Sequence, residues 1–162
     1  MRTQTLYLDD SYSKEMDAQI LELQPEGNGK YRVLLDKTIF YPMGGGQPTD
    51  QGKLTSSTWL GDVYQVIVKD GDIWHFVNSS SSPTQGHPIH GEINWERRYK
   101  NMSVHSAGHV VDFAMHLLGY SPSPLMPIKG DHGKKPYIVY QGTLGKDNEL
   151  PRSKQRGIRE TI

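Results

Sequence analysis

The stretch WERRYKNMSVHSAGHVVDFAMHLL, residues 95–118, holds no proline and a single strong helix breaker, Gly108. It predicts the one long helix of the chain. At about 100° per residue, Val104, Ala107, Val111, Ala114, Met115 and Leu118 fall on one side, and His105, His109, Asp112 and His116 share the opposite sector. The apolar side is expected to be core and the histidine side to face something polar. Gly119 suits the left-handed position that ends such a helix, and Ser121-Pro122-Ser123-Pro124 keeps it from restarting.

Upstream of that helix the pattern is short strands between turns. Gln4–Leu8, Glu15–Leu23, Lys30–Asp36, Tyr64–Lys69 and Ile73–Asn78 read as strands. Asn28-Gly29 and Asp70-Gly71 supply the positive-φ pairs of tight hairpins, so antiparallel neighbours are expected. Ser79 to Pro83 reads as an exposed loop. Downstream, Pro136 to Gly142 reads as a buried strand, and Glu149 to Ile162 as a helix with Pro151 in its first turn. No internal repeat is visible. The fold class is therefore α+β: a small β domain over 1–94, then a helix-led second part over 95–162. That second part is short for closing a core of its own, and its last helical pattern reads as cut at Ile162.

A chain of 162 residues is one large domain or two small ones. It is too short for a multidomain ligase, and it carries no ATP-binding motif. Neither a targeting segment nor an apolar run of the ~20 residues a membrane helix needs is present. A cytoplasmic location with no membrane partner is the resulting expectation. The absence of cysteine removes disulfides, thiolate nucleophiles and thiolate metal ligands. Formal charge is zero, yet unevenly placed: residues 1–95 carry seven Lys and Arg against twelve Asp and Glu, and residues 96–162 eleven against six. A basic second half suits a polyanion such as RNA, or else the two halves attract each other.

Two motifs carry chemistry. The first runs from Phe40 to Gly52, with Gly44, Gly45 and Gly46 between Pro42 and Pro48. Three glycines let the backbone come close to a partner, while Gln47, Thr49 and Asp50 supply directed polar contacts. A flexible turn is the other reading. No Lys-Ser or Lys-Thr follows the glycines and their spacing is not that of a dinucleotide fingerprint, so no nucleotide cofactor is expected. The second motif is His105-Ser106-Ala107-Gly108-His109. Histidines at i and i+4 lie one above the other, the spacing of two zinc ligands, although the same spacing also occurs on solvated faces. Ser106 stands where a metalloprotease helix carries its glutamate base, which disfavours peptidase chemistry. Asp112 and His116 extend the stripe, either orienting the imidazoles or pairing at the surface, Asp112 with a base such as Arg98 or a histidine. His75, His87, His90 and His132 are read as structural. For His132, between Gly130 and Gly133, a makeshift third ligand is the alternative.

The first motif reads YPxGGGQPxDxG, preceded by Asp36, Thr38 and Phe40, and the second follows with Arg97, Arg98, Met102, His105 and His109. Together, over roughly residues 4 to 162, they resemble the editing region of alanyl-tRNA synthetase, and more closely the freestanding alanyl-tRNA editing proteins (AlaX-like) related to it. The resemblance implies an N-terminal small β-barrel-like domain. An incomplete α/β-sandwich editing domain would follow, of the threonyl/alanyl-tRNA synthetase second additional domain type. It implies trans-editing: hydrolysis of mischarged Ser-tRNA(Ala) or Gly-tRNA(Ala). His105 and His109 would be the catalytic zinc ligands, and Gly45, Gly46, Gln47 and Thr49 the substrate contacts. The metal would polarise the ester carbonyl, lower the pKa of a bound water, or both. Arg97, Arg98, Lys100, Lys134, Lys135, Arg152, Lys154 and Arg156 are candidates for phosphates of the tRNA partner.

The family completes its zinc site with a later cysteine and histidine. This chain has no cysteine and no histidine after His132, so two of four ligands are present. The expectation is a truncated member whose deacylase activity is impaired. The alternative is a non-catalytic remnant that binds RNA or a partner.

Overall fold

The structure is a computed structural model, described for residues 2–123 and 125–142. The elements in chain order are β1 (Gln4–Thr5), α1 (Leu6–Asp9), β2 (Glu15–Gly27), β3 (Lys30–Leu35), β4 (Lys37–Thr38), β5 (Gly52–Thr55), β6 (Leu60–Lys69), β7 (Asp72–Asn78), β8 (Pro88–Ile93), α2 (Trp95–Leu117), β9 (Leu125–Asp131) and β10 (Tyr137–Gly142). Two compact units divide them. One comprises the described residues up to Gly44 together with Pro48–Lys100, and the other Gly45–Gln47 with the described residues from Asn101 onward.

The first unit is a closed antiparallel barrel in the order β2-β3-β7-β6-β5-β8, with β8 pairing back onto β2. Period-2 patterning explains it. In β2, Met16, Ala18 and Ile20 are buried between exposed Glu15, Asp17 and Gln19, and in β8 Ile89, Gly91 and Ile93 are buried in the same alternation. In β6 the alternation breaks where the ladder shifts register between Val63 and Gln65, and the inward series resumes at Val66. Phe40, Leu35, Leu54, Ile73 and Val77 fill the same core. Both predicted hairpins form, Asn28 and Gly29 at φ 53° and 71°, and Asp70 and Gly71 at 53° and 82°. Gln4–Leu8 departs from expectation, because only Gln4 and Thr5 are strand and Leu6–Asp9 is one helical turn. Short apolar runs do not distinguish the two.

Helix α2 is capped by Asn94, the residue before it, whose Oδ1 accepts the Arg97 N–H at 3.0 Å. It runs to Leu117, and Gly119 follows at φ 75°. Arg98 on its first turns is buried against Asp50, which also accepts the Tyr41 N–H at 2.8 Å. Two further guanidinium hydrogen bonds reach the carbonyls of Ser11 and Ile39. Arg98 and Asp50 are therefore internal fasteners, not the phosphate and partner contacts expected of them.

In the second unit β9 and β10 pair antiparallel, from Tyr137 opposite Asp131 to Gly142 opposite Leu125. The predicted strand at 136–142 forms but is not buried, since Tyr137 and Val139 are exposed while Ile138 and Tyr140 are half-covered. The apolar stripe of α2 is likewise only partly core. Met115 is buried, Val104, Val111, Ala114 and Leu118 are half-buried, and Ala107 is exposed. The helix expected over Glu149–Ile162, with Arg152, Lys154 and Arg156, lies outside the described residues. No helix among the described residues is long and apolar enough to cross a membrane.

Candidate functional site

Helical spacing places His105 above His109, with ring centroids 4.9 Å apart and planes inclined by 29°. Gln47, from the glycine motif and itself buried, brings its Oε1 to 2.9 Å from His105 Nδ1. A carbonyl oxygen only accepts, so Nδ1 carries the ring proton and Nε2 keeps its lone pair. That nitrogen is able to ligate a metal or take a proton from water. Burial, and then the neighbouring His132 and His109, push the His105 pKa below the ordinary histidine value and favour this neutral form.

A third imidazole completes the group. His132, the residue after β9, is buried, and its ring stacks on His105 with centroids 4.6 Å apart and planes 13° apart. Its backbone N–H donates to the Gly46 carbonyl at 2.8 Å. His105, His109, Gly108, Gly130, His132 and Gly45 line a cavity of about 230 Å³ that also reaches Asp112 and Ile138. His132, which the sequence reading gives as structural or as a makeshift third ligand, is placed by the structure in this cluster. The glycines beside it are its only sequence signal, and β9, which leads into it, lacks strand patterning.

The remaining candidates separate. Gly45 and Gly46 are exposed at φ 57° and 78° beside the cluster. Thr49 belongs to the barrel unit, where its hydroxyl donates to the Asp50 carbonyl and accepts the Val66 N–H at 2.7 Å. Asp112 pairs neither with Arg98 nor with a histidine but accepts the Tyr140 O–H. Burial, and then that carboxylate, push the Tyr140 pKa up. His116 is exposed with Nδ1 at 3.2 Å from the Ser121 carbonyl, apart from the other imidazoles.

Zinc accepts neutral imidazole nitrogens, and an Nδ1–H held by an acceptor is the contact that fixes a ligating histidine. The donor chemistry of His105 and His109 fits that ion. The three rings nevertheless lie face to face, and among the described residues no three His, Cys, Asp or Glu side chains group to hold one metal.

Residues 5–97 match the family described as tRNA synthetases class II (A). An alanine--tRNA ligase of Halobacterium salinarum is 40% identical over 116 residues, which cover 69% of this chain and 12% of that protein. Two alanyl-tRNA editing proteins AlaX-M are similar as well. That of Pyrococcus horikoshii is 36% identical over 70% of this chain and 49% of its own length, and that of Methanosarcina barkeri 38% identical over 67% and 45%. The matched stretch thus spans about half of these editing proteins and a small part of the ligase. With the family match covering the barrel and the start of the long helix, the chain belongs to the tRNA synthetases class II (A) and is similar over this stretch to alanine--tRNA ligases and alanyl-tRNA editing proteins.

Proposed function

We propose that the chain takes part in alanyl-tRNA editing, hydrolysing the ester that joins a wrong amino acid, serine or glycine, to the terminal ribose of tRNA(Ala). The observation that carries this reading is the meeting of the glycine motif and the helix histidines at one cavity, through Gln47 on His105. The similarity to proteins named for alanyl-tRNA editing supports it. Such a step answers a physical need, because a pocket for alanine rejects serine or glycine by only ~1–3 kcal/mol. The second unit would be part of an α/β-sandwich editing domain, and a cytoplasmic location goes with a tRNA substrate.

In this reading the exposed backbone of Gly45 and Gly46 seats the acyl-ribose end. Gln47 acts through His105 by holding its tautomer. Thr49 is engaged within the barrel unit, its only hydroxyl proton being committed to the Asp50 carbonyl. His105 and His109 would hold zinc, which would supply Lewis acidity toward the ester carbonyl and an activated water. The 162 residues contain two of the four donors that the family resemblance implies, His105 and His109, and the reading rests on that pair.

The test is deacylation of Ser-tRNA(Ala) and Gly-tRNA(Ala) by the purified chain with added zinc. Hydrolysis is expected, reduced at least 100-fold by His105→Ala or His109→Ala. Hydrolysis indifferent to both substitutions would overturn the reading. Salt-sensitive tRNA binding with no hydrolysis would favour a non-catalytic RNA-binding role instead, a reading to which the basic excess after residue 95 points.

A further inference from the structure

Three glycines converge on one imidazole. A Cβ on Gly108, in the middle of α2, would lie 2.7 Å from His132 Cε1, and one on Gly130 would lie 3.1 Å from Nε2. At Gly46, where φ is already 78°, a Cβ would meet the Gly130 carbonyl oxygen at 2.6 Å and His132 Cδ2 at 3.0 Å. A glycine inside a helix costs roughly 1 kcal/mol relative to alanine. At Gly108 the gap left by the missing side chain is occupied by the His132 ring, whose residue is only 8% exposed. The surroundings of this ring are shaped to admit it.

The contacts form a closed circuit. Gln47 Oε1 accepts the His105 Nδ1–H, the His105 ring stacks on His132, the His132 backbone N–H donates to the Gly46 carbonyl, and Gly46 is bonded to Gln47. With planes 13° apart, His132 offers His105 a ring face, which supports a neighbour's orientation without competing for its nitrogens. We propose that His132 is a positioning residue: its ring fixes the plane of His105 so that Gln47 holds the Nδ1–H tautomer and leaves Nε2 unprotonated. The consequence for hydrolysis rests on the editing reading, whereas the effect on the His105 ring does not.

The experiment uses the metal-free chain with ¹⁵N-labelled histidine at a pH where the rings are neutral, and long-range ¹H–¹⁵N spectra to show which His105 nitrogen carries the proton. Wild type should hold Nδ1–H. His132→Asn, which removes the ring, should give mixed tautomers and a roughly 10- to 100-fold loss of deacylation. His132→Phe keeps a flat ring without nitrogens and should restore the Nδ1–H form and most of the activity. Gly108→Ala, which leaves His132 intact but drives a methyl into its seat, should repeat the loss and guards against misfolding of the asparagine variant. An unchanged His105 tautomer in both His132→Asn and Gly108→Ala would overturn the proposal. So would a folded His132→Phe chain as disordered at His105 as His132→Asn, since a ring nitrogen and not the stack would then be what matters. If wild type hydrolyses nothing, the editing reading fails while the spectra still decide the role of His132.

Discussion

His75 shows how a residue type can mislead about its task. It lies fully buried in the barrel, with Nδ1 donating to the Val33 carbonyl at 3.3 Å and Nε2 accepting the Thr38 hydroxyl at 2.8 Å. Both hydrogen bonds suit the neutral ring, and burial lowers its pKa from 6.5 to about 4. Above pH 6.5 the folded and unfolded chains both hold the ring neutral and nothing is lost. As pH falls from 6.5 toward 4 only the unfolded chain takes up the proton, so stability should drop by on the order of 3 kcal/mol. Melting curves across this window should show the drop in wild type and a shallower one in His75→Leu, because that variant has no ring to protonate. At this scale much was readable. His75 reads as structural from the sequence, and the i, i+4 pairing of His105 and His109 follows from helical geometry. His132 was not readable as a partner, because it meets His105 through β9, a segment distant in sequence and without strand patterning.

Element by element, legibility followed periodicity. The hairpins and α2 are local features, set by Asn-Gly, Asp-Gly and an unbroken helical stretch, and the structure has them where expected. Strands β4, β5, β8 and β9 have no counterpart in the sequence reading, the first two being two and four residues long and β8 carrying Pro88 and Gly91. Gly52–Thr55 is too short to show alternation, and Leu125–Asp131 carries Pro127 and Gly130 within seven residues. The amphipathic pattern of α2 gave the direction of its apolar side but not the depth of burial, which depends on what packs there. Met115 alone on that stripe is buried, so Met115→Ala should lower stability by about 2 kcal/mol, whereas Ala107→Ser, on an exposed turn, should stay within about 0.5 kcal/mol. Thermal or denaturant unfolding of the two variants checks the contrast.

For the whole molecule, neutrality conceals a basic excess after residue 95, and Lys129, Lys134 and Lys135 are exposed on the second unit. If these three meet tRNA phosphates, the logarithm of the binding constant should fall with the logarithm of salt concentration with a slope of about −2. Charge-reversing all three should flatten that slope, as filter binding or anisotropy across a salt series would show. The barrel has a different lesson at this scale. Strand β8 hydrogen-bonds to β2 on one side and to β5 on the other, so every long strand of the sheet has two neighbours. Six residues, Pro88–Ile93, therefore act as a zip fastener. A chain ended before them would bare two raw sheet margins, each able to recruit a strand from another molecule, and self-association would compete with folding.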